Sequence, residues 1–330
     1  MALLRNYLIA FGFFGMAATM PACSSSGSDG GSGGTGAVGA TGGLGGAGAT
    51  GGSSGSAGQG GSGATPSCAL GPGYATNVTP QKVDALNGKL VDLDGNPVAD
   101  TVTTVCGLSI CIFGSTDAQG VVVTCDKQTK ICSPGIYPAL DMKKPAFKYA
   151  IGLNYAKFAL LVPPGSATVD VGPQVTARFP DFAQGQEIKD GQDAASAGVT
   201  LRVAVGSKIT YEPDFITADE KRFRAVEIPM AKAPEAVDKS LGFDGLVATT
   251  PVDTDFCPHA GLILPNNYGY PPQTEVELYI HGVDTEESWA PYGGWGKVSD
   301  AVVSADGSKI ETVADQGIPM LGTFGIRKKP

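Results

Sequence analysis

The sequence is poor in the side chains that carry out most enzyme chemistry. It has two histidines, His259 and His281, in 330 residues, and nucleophilic hydrolysis needs a serine or cysteine beside a histidine and its orienting group. Outside the glycine tract no G-x-S-x-G elbow occurs. No C-x2-C pair occurs either, and Cys257-Pro-His259 is the nearest approach to a zinc ligand set. The glycine-rich tract lacks the following Lys-Ser/Thr and helix start of a phosphate cradle. Acidic residues (32) outnumber basic ones (23), for a net charge of −9. That balance argues against nucleic acid and anionic headgroups as partners, and the closing Arg327-Lys328-Lys329 is too short to reverse it. The expectation is a protein with no catalytic residues, no metal and no cofactor. The hydrolase alternative rests on His259 or His281.

The N-terminus is more informative. Arg5 is followed by an apolar run from Tyr7 to Ala18 and then by small residues, the order of a bacterial secretory signal over residues 1–22. The run falls short of the ~20 apolar residues of a permanent span. Met20, Pro21, Ala22 and Cys23 resemble the lipobox of bacterial lipoproteins, with Pro21 as the departure. The resemblance implies that Cys23 is acylated, becomes the mature N-terminus and inserts into membrane lipid, since two or more acyl chains hold a protein firmly where one is marginal. The competing reading is a plain signal peptide with an incidental cysteine. Ser24 stands where aspartate would resemble an inner-membrane retention signal, so an outer-membrane anchor is favoured.

From Gly27 the chain runs in triplets that open with glycine, GSD GGS GGT GAV and onward. A collagen helix has that period but also needs proline, and the tract has none before Pro66. Residues 23–66 therefore read as the lipidated cysteine and a disordered, flexible linker. A Gly-rich coil of that length has an r.m.s. span of about 35–40 Å.

With Cys23 assigned to lipid, Cys68, Cys106, Cys111, Cys125, Cys132 and Cys257 remain. An even set in an exported chain points to disulfides. Six cysteines allow fifteen connectivities; Cys106 with Cys111 and Cys125 with Cys132 flank short loops, which would leave Cys68 for Cys257.

Short Val-, Thr- and aromatic-rich runs, punctuated by Gly, Pro, Asn and Asp, make residues 67–330 all-β, as two β-sandwich domains over 67–145 and 146–330. Strands are expected at Lys89–Asp92, Thr101–Val105 and Val121–Thr124, joined by turns at Asp94-Gly95-Asn96-Pro97 and Asp117–Gly120. Asp92, Asp94 and Asn96 alternate as calcium ligands do, but Thr103 stands where the bidentate glutamate belongs, so a turn is the better reading. The pattern G-x-[LV]-x-D-x-x-G-x-P-V followed by T-D-x-x-G, over Asn87 to Cys125, is similar to carboxypeptidase regulatory-like domains, which implies a transthyretin-like sandwich. Further strands fall within Asn154–Pro163, Gly198–Tyr211, Lys221–Pro229 and Thr274–Gly282. In the last, Val276, Leu278 and Ile280 alternate with Glu275, Glu277 and Tyr279, so one face is expected to be buried and the other wet. Ala231–Gly242 alone reads as a short helix. In the tail, Trp295, Val298, Val303, Ser304, Asp306, Gly307, Ile310 and Gly317-Ile318-Pro319 resemble a module of large bacterial surface proteins. With the preceding strand they are distantly similar to ZU5-like β-sandwiches, which act as interaction modules.

One loop stands out as a binding candidate. Trp289, Tyr292 and Trp295 lie close together beside Asp284, Glu286 and Glu287, and include both tryptophans of the chain. Aromatic faces beside hydrogen-bonding acids suit sugar rings or a peptide, so a polysaccharide or a surface protein is the expected partner. The competing reading is that Trp295 and Tyr292 fill the core. His281, at a strand end before Gly282, is expected to be solvated.

Overall fold

Three aspartates show how this sequence turns corners. The Asp92 carboxylate accepts hydrogen bonds from the backbone N–H groups of Asp94 and Asn96, each at 2.9 Å. Asp117 accepts from Gln119 and Val121 in the same way, and Asp126 accepts from Gln128 and Thr129. Gly95 and Gly120 supply the positive φ of the first two reversals, +83° and +73°, and Lys130 takes +60° in the third. Asp92 is thus committed to its turn.

The computed structural model describes residues 71–330 except 76, 166, 212–216, 286–287 and 315. The expected signal peptide, Cys23, the glycine linker and Cys68 lie outside the described residues, as do Glu286 and Glu287. Within them the chain is all-β, as expected, with 3-10 turns and no α-helix. A six-stranded antiparallel sheet runs in the order Cys132–Pro134, Val122–Cys125, Cys111–Thr116, Val102–Cys106, Ala146–Ile151, Phe158–Leu161. Ala85–Val91 pairs in parallel with Thr168–Val175, and Pro80–Val83 pairs with Leu140–Lys143.

The remaining strands form a twelve-stranded sheet. Its centre is Arg222–Ile228, Gly245–Thr250, Thr323–Lys328, Glu275–His281 and Trp295–Val303, hydrogen-bonded in that order. The long strand Thr254–Pro265 pairs with Val199–Arg202, Lys208–Tyr211, Lys309–Thr312 and Ile318–Met320. Near one end the sheet returns on itself, where Ser196 Oγ accepts from the Ala225 N–H at 3.1 Å.

Both faces of this sheet are covered, and the strand sequences show it by period-2 alternation between two cores. Phe223, Ala225, Val247, Val276, Leu278, Ile280, Phe324 and Ile326 point into one apolar cluster. Ile228, Leu246, Ala248 and Trp295 point the other way, into a cluster shared with Leu86, Leu90, Val105, Phe147, Tyr149 and Phe158 of the N-terminal strands. Every residue of Gly245–Thr250 is therefore buried. Each large apolar side chain so buried contributes roughly 1.5–3 kcal/mol.

Three expectations change. The six-stranded sheet takes two strands from Ala146–Ile151 and Phe158–Leu161, and Ala85–Val91 pairs with Thr168–Val175, so pairing crosses the boundary expected at 145/146. The described residues belong to one compact unit with a shared core. Ala231–Gly242 is not a helix; 3-10 turns at Met230–Lys232 and Lys239–Leu241 flank Pro234, whose missing N–H interrupts any longer ladder. The second face of Glu275–His281 is wet at Glu275 only, and Tyr279 is half-buried. Glu277 is buried under Arg327 and Lys297, paired at 2.7 and 2.9 Å.

Disulfides join Cys106 to Cys111 and Cys125 to Cys132, each across neighbouring strands. Cys257 is also disulfide-bonded.

Candidate functional site

The aromatic loop folds inward. Tyr292 is 4% exposed and its hydroxyl donates to the Cys106 carbonyl at 3.0 Å. The Trp295 indole N–H donates to the Ala236 carbonyl at 3.1 Å, with its ring against Phe243 and His281. Trp289 is half-buried and meets the His259 ring edge-on at 4.9 Å. The expected ligand-binding platform of Trp289, Tyr292 and Trp295 is therefore not assembled: two of its rings are core, because the face of the sheet beneath them is already roofed by the N-terminal strands. Gly296 permits the close fold, since a Cβ there would stand 2.0 Å from the Trp289 carbonyl oxygen.

Both histidines are held by the backbone. His281 is buried, not solvated as expected; its Nε2 accepts from the Ala159 N–H at 3.1 Å, and its Nδ1–H donates to the Gly294 carbonyl at 2.9 Å. Those partners select the neutral tautomer. Burial lowers its pKa to about 4 against those two hydrogen bonds. His259 Nδ1 lies 2.8 Å from the Gln316 carbonyl oxygen.

Under this loop the structure gathers a group of which the sequence points directly only to Asp284. Lys148 comes from the Ala146–Ile151 strand, Lys157 immediately precedes Phe158–Leu161, Asp253 sits in the turn before Thr254–Pro265, and Asp284 follows Glu275–His281. Lys157 Nζ lies 2.7 Å from Asp253 Oδ2 and 3.1 Å from Asp284 Oδ2. Lys148 Nζ pairs with the other oxygen of Asp284. The side chains of Lys157 and Asp253 keep only 11% and 12% of their exposure, against 37% for Asp284. Asp253 adopts a left-handed φ of +63°.

The electrostatics are uneven across the group. Burial raises the Asp253 carboxyl to about 7, with the nearby Asp284 charge adding to it and Lys157 opposing. Burial also opposes ionisation of Asp284, but Lys157 and Lys148 outweigh it and hold that carboxylate well below the usual range. Lys157 is raised, its two carboxylates overcoming the burial that would lower it. The two carboxyl groups stand within hydrogen-bond reach of each other. A protonated Asp253 donating to an ionised Asp284 is the arrangement that satisfies both, since two carboxylates have only acceptors. A sequence signal for this group existed: lysines inside the otherwise apolar runs "AFKYAI" and "AKFALL" imply buried anionic partners.

Among the described residues, no group of three or more His, Cys, Asp or Glu is arranged to hold a metal ion. No helix there is long and apolar enough to cross a membrane. These features define an all-β protein, cross-linked by disulfides, with a buried acid–base group where its N-terminal strands meet its large sheet. Compared with protein-family models, curated proteins and solved structures, the chain matches none.

Proposed function

We propose that this chain is an exported, lipid-anchored protein of the bacterial envelope, displaying an all-β head as a non-catalytic structural or binding module. The observation that carries the reading is the cysteine chemistry. Cys106–Cys111, Cys125–Cys132 and the bond of Cys257 belong to an oxidising compartment, and the one cysteine left over from pairing in the sequence reading is Cys23, behind the secretory pattern. Acylated Cys23 anchors the head, on the outer membrane by preference, and residues 24–66 space it from the surface. The carboxypeptidase regulatory-like pattern of Asn87–Cys125 and the ZU5-like pattern of the tail agree with a head that engages a polysaccharide or another surface protein.

For the competing reading, a weak surface hydrolase, both His281 nitrogens are committed to backbone groups, which leaves that reading His259 alone. The test is fractionation of cells carrying the wild type and Cys23→Ser. The wild type should partition with outer membrane and incorporate radiolabelled palmitate. The serine variant should lose the label and leave the membrane fraction. A wild type that is soluble and unlabelled would overturn the anchor.

A further inference from the structure

We propose that Lys157 and Asp253 condense into an intramolecular amide, with Asp284 moving the protons. The inference does not depend on the preceding reading of function; it rests on how the three side chains meet. Lys157 Nζ lies 2.7 Å from Asp253 Oδ2, so the carboxyl carbon is one bond beyond that contact, close to the separation of a near-attack pair. The second oxygen of Asp253, Oδ1, is buried without a protein donor. Burial favours the neutral carboxyl at Asp253, whose hydroxyl is the group that can leave. Asp284 Oδ2 lies 3.1 Å from the same Lys157 Nζ, and its side chain keeps a partial exposure through which protons reach solvent.

The surroundings favour loss of water. Ala159, Val252 and Val283, each next to or near a member of the group in sequence, form one buried apolar cluster with Tyr292, Ala146 and Cys106. Raised protonation of Asp253 and firm ionisation of Asp284 assign the two carboxyl groups different parts: Asp253 is the electrophile and Asp284 the base.

The atoms balance without an oxidant or cofactor. Lys157 ammonium gives one proton to the Asp284 carboxylate, and the freed amine pair attacks the Asp253 carboxyl carbon. The nitrogen loses a second proton as the C–O bond breaks, and Asp284 passes a proton to the departing hydroxyl. The product is a secondary amide and one water, with one proton remaining on Asp284 and exchanging with solvent. The link would tie together positions 96 residues apart, joining the N-terminal strands covalently to the large sheet.

The test is tryptic peptide mapping of the full-length protein, denatured and reduced, by tandem mass spectrometry. The expected result is a branched species in which trypsin fails to cut after Lys157, with the Lys157 and Asp253 peptides joined and one water lighter than their sum. Cleavage after Lys157 with both peptides at full mass would overturn the proposal. A water lost within the Asp253 peptide alone, as a succinimide, would also contradict it. Asp284→Asn, at the more exposed member of the group, should keep the native circular dichroism spectrum and form the branched species at least about 100-fold more slowly. Cross-linking of that variant at the wild-type rate would remove Asp284 from the mechanism.

Discussion

At the scale of single residues, His281 is the position where burial has the clearest consequence for stability. Its folded pKa is lowered to about 4, against ~6.5 for an unfolded histidine. Between those values the unfolded chain binds more protons than the folded one, so stability is full above pH ~6.5 and is lost as pH falls toward ~4. The full difference is on the order of 3 kcal/mol. Urea titrations at pH 7 and pH 4.5 should show the wild type losing much of that amount relative to His281→Gln. The glutamine keeps an acceptor for the Ala159 N–H and cannot titrate; equal pH slopes for the two proteins would contradict the assignment. Compared with wild type in which the amide has not formed, Lys157→Met should cost roughly 3–5 kcal/mol at pH 7, because it leaves Asp253 without its cation and Asp284 with Lys148 alone. Chemical denaturation reads this directly, and a loss under ~1 kcal/mol would show the group to be well solvated. The burial of His281 was not legible in the sequence, where a histidine at a strand end before glycine has a solvated look. Its partners, Ala159 and Gly294, arrive from distant segments. The cysteine pairs Cys106–Cys111 and Cys125–Cys132 were legible, because short loops between neighbouring strands bring their ends together whatever else the chain does.

At the scale of elements, alternation along Glu275–His281 identifies the buried face of Val276, Leu278 and Ile280 and the exposed Glu275, but not the burial of Glu277. A strand pattern distinguishes two faces; it does not reveal that a second layer covers the polar one. Glu277 tolerates that cover because Arg327 and Lys297 accompany it, and those partners sit on the adjacent strands Thr323–Lys328 and Trp295–Val303. The segment Ala231–Gly242 misleads for a local reason: good helix formers surround Pro234, and Ala236 and Val237 are more useful as core residues than as a helix face. The left-handed stop at Gly242, φ +63°, was still legible. The Cys125–Cys132 disulfide closes a short loop onto the exposed edge strand Cys132–Pro134. Loop-closure entropy for so short a ring is about 2–3 kcal/mol. The double replacement Cys125→Ser/Cys132→Ser should lower global stability by no more than that amount. Hydrogen exchange should localise the change to Val122–Cys125 and its partner, and loss of protection in the large sheet would contradict this.

At the scale of the whole molecule, the described residues form one compact unit. Class and many of the strands were legible from composition and turn residues alone. The partition was not, because strand pairing between Val102–Cys106 and Ala146–Ile151, or Ala85–Val91 and Thr168–Val175, leaves no local mark in sequence. A fragment of residues 67–145 should therefore be unfolded by circular dichroism and amide dispersion, since it lacks Phe147, Tyr149 and Phe158 of its own core. Cooperative folding of that fragment would restore the boundary at 145.

Export and anchoring of a disulfide-bonded head are decided by the intact mass of the mature protein from membranes of its native host, before and after reduction. The expected result is an N-terminus at Cys23 carrying a diacylglyceryl-sized increment, and a gain of two hydrogens on reduction for each of Cys106–Cys111, Cys125–Cys132 and the bond of Cys257. A chain that begins at Met1, carries no lipid and holds every cysteine as a thiol would contradict it.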